Sequence, residues 1–510
     1  MSPTEGLYNI KRAFVDFHDL FARGFKREGI IYFSTIAVRF VQDELLICIS
    51  KGEDISEIQD RIRMVDTIYS ECEIAIDHVG HYKLDLKVCF RIPDADSGFV
   101  KLVPRMPLLE KLAEEPGVFQ IPNGLFAPSK MYMYTEPIAR SFKRVLFAGT
   151  FDHLHAGHKS VLTQALFHAT ETLYVGIASE SLLRRKKCAV ALQPFSTRWK
   201  KVSEFFECIK PSCLRNIRIE LLETPDAIGP AATLDFDAIV LTPETVIGGQ
   251  MVNEARGELG NKPVEMTTLT ILGNCGLEDK VSSTRIRSHL CSQLPGGEED
   301  LKWLHSQWQN LILQLGVPVD VSCVWWSELR DMYGLDPWRF YHNLRHVFDL
   351  VHLAQMEAAP PALLLAILFH DCVYQPQSKT SEDDSILVFR RFVNDVSVIP
   401  KETGEMVETA IKLTKEHTGA LASDLSSLDP WIPIFLELDL AILGSAPERY
   451  REYSQAVRKE YQHVPEEIFR EKRSELLELW STFLFRHLSS RDSLNKNLSH
   501  NLAWELASYQ

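Results

Sequence analysis

Residues 143–178 read KRVLFAGTFDHLHAGHKSVLTQALFHATETLYVGIA and decide the fold of the central part of the chain. A short apolar run at 145–148 leads into a glycine-containing turn, and apolar residues then recur at helical spacing over 161–169. A second apolar run follows at 173–178. Runs of this length and spacing predict a strand, a helix and a second strand, which together form one βαβ unit.

The same alternation continues downstream of this unit. Further short apolar runs lie at 217–222, 238–241 and 269–272, and helical segments separate them. Strands that alternate with helices indicate a parallel sheet with helices on both faces. We therefore expect residues 141–291 to form a Rossmann-like α/β domain.

The residues before this domain predict a small α/β region over 1–140. Residues 30–48 look strand-like, 55–70 show helical spacing, and 81–92 alternate polar and apolar side chains as a half-buried strand does. No residue of this region points to a chemical role.

The residues after the central domain predict a linker and an all-α domain. Pro295, Gly296 and Gly297 stand beside three acidic residues, so 292–300 is interpreted as a linker. Helical periodicity then runs over 301–510 without a convincing strand, which is typical of a helical bundle. A multidomain protein is also what a length of 510 residues predicts.

Composition excludes several classes of partner. The formal net charge of -14 argues against a nucleic-acid surface, which needs clustered Lys and Arg. No apolar run is long enough for a membrane span. Ten cysteines without a CxxC pair favour a reducing compartment. We expect a cytoplasmic protein, and because the first thirty residues mix basic, aromatic and acidic side chains, a mitochondrial association stays open.

The turn after the first strand of the central domain carries the first candidate site. Its sequence over 149–158 is GTFDHLHAGH, where a strand ends and a helix begins. A helix N-terminus offers unpaired N–H groups and a positive dipole end to a phosphate. His155 and His158 add hydrogen-bond donors. Gly157 has no side chain, so the backbone can approach a bound ligand closely and both rings can reach it. The alternative is that the two histidines merely cap a helix.

Six ordered blocks of sequence relate this domain to a known family. They are GTFDHLHAGHK at 149–159, LQPFSTR at 192–198, SEFFECIKPS at 203–212, GPA at 229–231, PETVIGGQMVNEAR at 243–256 and EDKVSSTRIR at 278–287. On these blocks, residues 141–290 resemble the phosphopantetheine adenylyltransferase domain of eukaryotic coenzyme A synthase, a member of the HxGH nucleotidyltransferase superfamily.

The resemblance implies the residues of an adenylyltransferase site. His155, His158 and Lys186 correspond to catalytic residues that contact the reacting phosphates, and Lys187 could substitute for Lys186. The residues that correspond to substrate and nucleotide contacts are Gly149, Thr150, Phe151, Asp152, Gly157, Arg198, Gly248, Gly249, Arg256, Ser282, Ser283, Thr284 and Arg287. ATP with Mg²⁺ and 4'-phosphopantetheine are the implied ligands, with coenzyme A or dephospho-coenzyme A as further candidates. An oligomer stays open.

The implied activity is the transfer of an adenylyl group from ATP to 4'-phosphopantetheine, which yields dephospho-coenzyme A and pyrophosphate. Two alternatives remain. One is a non-catalytic nucleotide or coenzyme A sensor or scaffold, and the other is an adenylyltransferase for another phosphate acceptor such as nicotinamide mononucleotide.

The helical region carries the second candidate site. His342 and His346 are expected one helical turn apart on one face, the pair His370-Asp371 ends a strongly apolar segment, and Asp439 follows later. Histidines and carboxylates can converge on a metal inside a bundle.

These positions, with Tyr374, Glu382, Thr414 and the runs DLAILG and EYSQAVRKEY, resemble the HD superfamily of metal-dependent phosphohydrolases over 303–488. The resemblance implies His346, His370, Asp371 and Asp439 as ligands of a divalent transition metal whose identity stays open. It also implies His342 and His417 as contacts of the substrate phosphate. Glu437 stands where relatives often have aspartate.

A coenzyme A synthase of the animal type continues with a kinase that needs a GxxxxGK[ST] loop, and this sequence has none. We therefore expect another protein to supply the dephospho-coenzyme A kinase step.

Overall fold

The computed structural model describes residues 10–22, 27–49, 58–89, 93, 97–104, 118–121, 140–209, 217–226, 228–269, 282–357, 359–416 and 428–509. These residues fall into two compact units that divide between Arg287 and Ser288. In the described part of the chain, no helix is long and apolar enough to cross a membrane.

The N-terminal part of the first unit is a five-stranded parallel sheet with the strand order β3-β2-β1-β4-β5. Its elements are β1 (Ile10–Asp16), α1 (Phe17–Ala22), α2 (Arg27–Ala37), β2 (Val41–Cys48), α3 (Ile58–Val79), β3 (Asp85–Cys89), β4 (Val100–Pro104) and β5 (Val118–Ile121). The α/β character predicted for this region is confirmed.

Two local predictions for this region need correction. The segment 30–48 was expected to be strand-like throughout, but its first part belongs to helix α2 and only Val41–Cys48 is a strand. The mixture of Ile, Phe and Tyr in α2 favours strand by propensity, and burial of Ile30 and Phe33 against the core overrides that preference. Strand β3 covers only Asp85–Cys89, and residues 90–92 lie outside the described residues.

A second parallel sheet of the first unit has the strand order β10-β9-β6-β7-β8. Its elements are β6 (Phe142–Gly149), α4 (Ala156–His168), β7 (Ala169–Ala178), α5 (Glu180–Leu183), α6 (Phe195–Ile209), β8 (Arg218–Thr224), β9 (Ala238–Leu241), α7 (Val246–Glu258), β10 (Glu265–Thr268) and α8 (Ser283–Ser292).

The predicted βαβ unit is present as β6, α4 and β7, and the parallel sheet expected around it is confirmed. The last predicted strand is displaced. It was placed at 269–272, whereas β10 ends at Thr268 and residues 270–281 lie outside the described residues. Glu265 to Thr268 carries little apolar signal, and its pairing with β9 decides its conformation.

Helix α4 joins the two sheets into one core. All but two of its thirteen residues are buried, so it has no polar face to turn toward water. Residues of α3 such as Val65 and Ile68 belong to the same apolar cluster as Leu162 and Ala165 of α4. The boundary predicted between residues 140 and 141 therefore separates two sheets of one compact unit.

The second unit is helical, and its described residues contain no strand. Its helices are α9 (Glu298–Leu315), α10 (Val319–Gly334), α11 (Leu344–Ala354), α12 (Pro361–Phe369), α13 (Ser381–Val396), α14 (Lys401–Leu413), α15 (Trp431–Leu440), α16 (Pro447–Glu460), α17 (Glu466–Trp480) and α18 (Arg491–Ala507). The predicted linker is shorter than expected, because α8 ends at Ser292 and the acidic residues 298–300 form the first turn of α9. Negative side chains are favourable at that position of a helix.

Candidate functional site

The turn between β6 and α4 is held in an unusual backbone conformation. Phe151 and His153 have φ values of 49° and 44°, which side chains other than glycine rarely adopt. Such strain persists only where surrounding contacts enforce it. Here the backbone N–H of His153 donates to Gln193 Oε1 at 3.0 Å, and His153 Nε2 lies 2.9 Å from the Ala191 carbonyl oxygen.

Asp152 fastens this turn to two distant segments. Its Oδ1 accepts the backbone N–H of Gln193 at 2.8 Å, and its Oδ2 accepts from Arg287 Nη1 at 2.6 Å. Both side chains are buried. Burial by itself would raise the pKa of Asp152, but the charges of His153 and Arg287 and the Gln193 N–H hold it below its ordinary value. The carboxylate is therefore a fixed anion that orders the turn.

Two of the predicted arginines, Arg198 and Arg256, donate hydrogen bonds to backbone carbonyl oxygens. Arg198 is fully buried and donates to the carbonyl oxygens of Gln193, Thr150 and Ala178. Arg256 donates to the carbonyl oxygens of Lys262, Ala231 and Leu234. Both guanidinium groups thus shape the surroundings of the site by holding loops.

The residues at the start of α8 also contact this turn. Ser283 Oγ donates to the Asp152 carbonyl oxygen at 2.8 Å, and Ser282 Oγ accepts the N–H of Arg285. Arg287 Nη2 donates to Thr284 Oγ1, and its Nε donates to the Lys187 carbonyl oxygen at 3.0 Å. Lys186 precedes this carbonyl in an exposed turn.

The two histidines of the HxGH sequence lie side by side at the start of α4, with ring centroids 4.0 Å apart. His155 Nδ1 lies 3.0 Å from Glu73 Oε1, and the same oxygen accepts the N–H of Gly157 at 3.1 Å. A side chain at Gly157 would meet the His155 ring at 3.1 Å, a tight contact that glycine avoids. The structure thus brings together the turn, both histidines and residues 282–284.

Gly248 and Gly249 follow the end of β9 in the first turn of α7. A methyl group at Gly249 would lie 2.5 Å from Leu241 Cδ1, whereas one at Gly248 would meet open space. Close packing of α7 on the sheet therefore requires the second glycine, and the first leaves the surface of the helix accessible.

In the helical unit the four predicted metal ligands converge. His346 Nε2 lies 3.2 Å from His370 Nε2 and 3.1 Å from Asp439 Oδ1, and His370 Nε2 lies 3.2 Å from Asp371 Oδ2. Both histidines are buried. His370 Nδ1 lies 2.9 Å from the Ile367 carbonyl oxygen, an arrangement that directs Nε2 toward the cluster. The donor atoms of His346, His370 and Asp371 lie within 4.8 Å of one another, and with the nearby Asp439 carboxylate they fit a divalent transition metal.

His342 lies beside this cluster, but not on the same helix as predicted. Helix α11 begins at Leu344 with Asn343 as its N-cap, so His342 precedes it. Its Nδ1 lies 2.7 Å from Glu460 Oε2, which also accepts from the Tyr374 hydroxyl at 2.8 Å. Burial would lower the pKa of His342, and the Glu460 carboxylate more than compensates and raises it. His417 lies outside the described residues.

A cavity of about 280 Å³ adjoins the cluster. His346 and Asp439 form part of its wall, and so do Arg345 and Arg449 together with Asp349, the carboxylate that pairs with both arginines. Leucines from three helices line much of the remainder. Two of the four residues of the cluster therefore border a cavity that has room for a ligand of moderate size.

Three supporting residues in the helical unit were not predicted. Arg339 is buried and donates to the carbonyl oxygens of His342, Asp371 and Cys372, so it ties two ligand segments together. Glu460 lies in the EYSQAVRKEY run that the resemblance included, yet was not singled out. Glu437 is buried and accepts the N–H groups of residues 486–488, which gives it an anchoring role.

Comparison with known proteins identifies the domain that contains the HxGH turn. The model of the cytidylyltransferase-like family matches residues 146–289. A phosphopantetheine adenylyltransferase of Saccharomyces cerevisiae is 34% identical over 158 residues, 30% of this chain and 50% of its own length. The chain thus spans about half the length of that relative.

Archaeal relatives are matched over nearly their whole length. Phosphopantetheine adenylyltransferases of Pyrococcus abyssi and Thermococcus kodakarensis are 36% and 37% identical, over 91% and 88% of their lengths and about 30% of this chain. A solved structure of a protein of unknown function from Archaeoglobus fulgidus is 22% identical, covers 27% of this chain and 96% of its own, and has a TM-score of 0.22, too low to carry an argument.

Proposed function

Because the chain belongs to the phosphopantetheine adenylyltransferase family through the domain that contains residues 146–289, we propose that it transfers an adenylyl group from ATP to 4'-phosphopantetheine. The observation that carries the proposal is the ordered turn over 149–158, where His155 and His158 stand side by side at a helix N-terminus.

The reaction requires no covalent intermediate with the protein. A phosphate oxygen of 4'-phosphopantetheine attacks the α-phosphorus of ATP, the bond from that phosphorus to the bridging oxygen breaks, and pyrophosphate leaves. Negative charge gathers on the phosphorus under attack, and donors fixed beforehand stabilise it without reorganising. We assign this role to His155, His158 and the N–H groups of the first turn of α4 other than that of Gly157, which donates to Glu73, with Lys186 as a further cation.

The other predicted residues prepare this site. Asp152 and Arg287 hold the turn against α8, and Arg198 holds the Thr150 carbonyl oxygen. Positioning of this kind supplies much of the catalysis of phosphoryl transfer, because a misplacement of about 1 Å can cost about a hundredfold in rate. Mg²⁺ would enter with ATP.

The test is pyrophosphate release from ATP by the whole chain, with and without 4'-phosphopantetheine, for the wild type and for His158→Ala. We expect release that requires the acceptor, with a loss of about a hundredfold or more in the variant. Nicotinamide mononucleotide serves as the competing acceptor. Comparable turnover of that compound would refute the proposed specificity, and no release with either acceptor from folded protein would favour a sensor.

We also propose a metal-dependent phosphohydrolase activity of the HD type for the helical unit. The observation that favours it is the convergence of His346, His370, Asp371 and Asp439 beside an open cavity. A metal held there would lower the pKa of a bound water and so supply a nucleophile at neutral pH. His342, kept in place by Glu460, is the candidate contact of a substrate phosphate.

Elemental analysis of the purified chain tests the metal site first. The wild type should carry close to one transition metal per chain, and the double variant His370→Ala, Asp371→Ala should carry none. Asp349→Asn is the matched control, because it removes a carboxylate from the same helix as His346 outside the ligand cluster. Metal retained in the double variant would refute the ligand assignment, and a screen of phosphoesters with the metal-loaded protein would then test hydrolysis.

A further inference from the structure

The N-terminal sheet region reaches the HxGH turn through one side chain. Glu73 lies on α3, is buried, and places Oε1 3.0 Å from His155 Nδ1 and 3.1 Å from the N–H of Gly157. Glu73 is 82 and 84 positions away from these residues in sequence. A single carboxylate oxygen therefore binds both the histidine ring and the backbone of the helix start.

A second contact joins α4 to strand β3 of the same N-terminal region. Lys159, one residue after His158, is buried and forms an ion pair with Asp85 at the start of β3. Its Nζ also donates to the Leu86 carbonyl oxygen at 2.8 Å. Lys87 balances a further part of the Asp85 charge at 2.9 Å. Helix α4 is thus held against the N-terminal sheet independently of Glu73.

The geometry at His155 restricts the ring. An ionised carboxylate only accepts hydrogen bonds, so His155 Nδ1 must carry the proton that Glu73 accepts. This contact sets the orientation of the ring, and Nε2 can donate to a phosphate oxygen only when it carries a proton as well, so that the ring is an imidazolium. Carboxylates that bind the far nitrogen of a catalytic or metal-bound histidine have this effect in other sites. The adjacent His158 ring limits movement on the other side.

We propose that Glu73 is a positioning residue for adenylyl transfer, by which the N-terminal region completes the active site through His155. The inference rests on the proposed function. It assigns a role to the N-terminal region, in which sequence patterns indicated no chemistry. The carboxylate accepts one N–H of the α4 start, at Gly157, and by accepting from Nδ1 it orients His155 so that a protonated Nε2 can donate to the reacting phosphates.

A double-mutant cycle on the whole chain tests the proposal. Glu73→Gln keeps the size of the side chain and an oxygen for Gly157 but removes the charge that orders His155. We expect kcat for pyrophosphate release to fall by about tenfold to a hundredfold, with KM for ATP changed by less than the fall in kcat. In a His155→Ala background the same substitution should change kcat by no more than about twofold, because the residue through which it acts is absent.

Asp85→Asn is the matched control, since it weakens the contact of β3 with α4 without touching His155. Its kcat should stay within about threefold of the wild type and above that of Glu73→Gln. Three results would overturn the proposal: equal kcat in Glu73→Gln and wild type, higher activity in Glu73→Gln, or an equal loss in the His155→Ala background. The second would mean that Glu73 competes with phosphate.

Failure of the proposed function gives a different pattern. If the wild type releases no pyrophosphate with 4'-phosphopantetheine, adenylyl transfer itself is refuted. Nitrogen NMR of the histidines, with His155 assigned by its loss in His155→Ala, then decides the remaining part. A proton on Nδ1 in the wild type and a changed signal in Glu73→Gln support the positioning contact, and an Nε2 proton alone refutes it.

Discussion

The two candidate sites hold their charges in different ways. In the first unit, the buried charges around the HxGH turn are paired within the protein, as Asp152 is with Arg287 and Lys159 with Asp85. In the helical unit, His346, His370, Asp371 and Asp439 turn their donor atoms toward one another. The first arrangement suits the anionic substrate proposed for that site, and the second suits the proposed metal ion. Disturbing one charge should therefore have different consequences in the two units.

The largest effect is expected from Arg287→Ala. This change leaves Asp152 as a buried carboxylate without its arginine, and breaking such a pair typically costs about 3–5 kcal/mol. The unfolding transition of the first unit, measured by scanning calorimetry, should shift to lower temperature, and the transition of the helical unit should not. Thr284→Ala is a control that removes only a hydroxyl partner of Arg287. A shift no larger than that of the control would contradict the pairing argument.

The same pair predicts a pH dependence. The pKa of Asp152 is lower in the folded protein than its ordinary value, so its contribution to stability is present above about pH 4 and is lost as the pH falls through the folded-state pKa. Without Arg287, the pKa of Asp152 in the folded protein rises, so the variant loses less stability on acidification than the wild type does. The difference in unfolding free energy between wild type and Arg287→Ala should therefore shrink on acidification below about pH 4, and an unchanged difference would exclude Asp152 as its source.

Removal of the metal tests the proposed site of the helical unit. An ion that binds only the folded helical unit stabilises it by about 2.7 kcal/mol when the free ion is at a hundredfold excess over its Kd. Chelation should lower the unfolding temperature of the helical unit alone. The double variant His370→Ala, Asp371→Ala is the control and should not respond. A chelator response of the first unit, or of the double variant, would contradict a metal site at these residues.

A smaller loss of stability is expected from a residue that contacts the neighbours of the proposed metal ligands. Tyr374→Phe removes a hydroxyl that donates to the buried Glu460 carboxylate, which also pairs with His342. Hydrogen bonds to charged groups contribute about 1.5–3 kcal/mol, so the helical unit should lose stability by about that amount. Metal content should stay unchanged, because Tyr374 is not among the four proposed ligands. Loss of metal would show that the contacts among Tyr374, Glu460 and His342 also determine ion binding.

The sequence predicts the first site better than the contacts that complete it. The HxGH turn is local: strand, turn and helix follow within residues 142–168, and periodicity together with the motif is enough to place them. Residues 282–287 and Arg198 were assigned through the resemblance, and the structure brings them to the turn. Glu73 could not be found in this way, because it is one acidic residue of a long helix and only the tertiary contact of α3 with α4 gives it a partner.

The helical site shows the same limit. The proposed ligand residues are separated by up to 93 positions in sequence, between His346 and Asp439, and no local pattern requires them to converge. Their order resembled that of a known family, and the packing of α11, α12 and α15 supplies the distances. The predicted position of His342 was wrong because its spacing of four residues from His346 was interpreted as helical. The helix begins only after His342, since Asn343 is its N-cap. A cap competes with periodicity, and here the cap determines where the helix begins.

The smallest predicted effect compares two adjacent glycines of α7 that sequence analysis treated alike. Gly249→Ala would place a methyl group 2.5 Å from Leu241 Cδ1, so strain of about 1–3 kcal/mol should exceed the gain in helix propensity. Gly248→Ala meets no atom within 4 Å and should stabilise the first unit by about 0.5–1 kcal/mol. Calorimetry of the two variants should thus give shifts of opposite sign. Stabilisation by both would mean that α7 can move away from β9, and that the order of this unit depends on its paired charges more than on close packing.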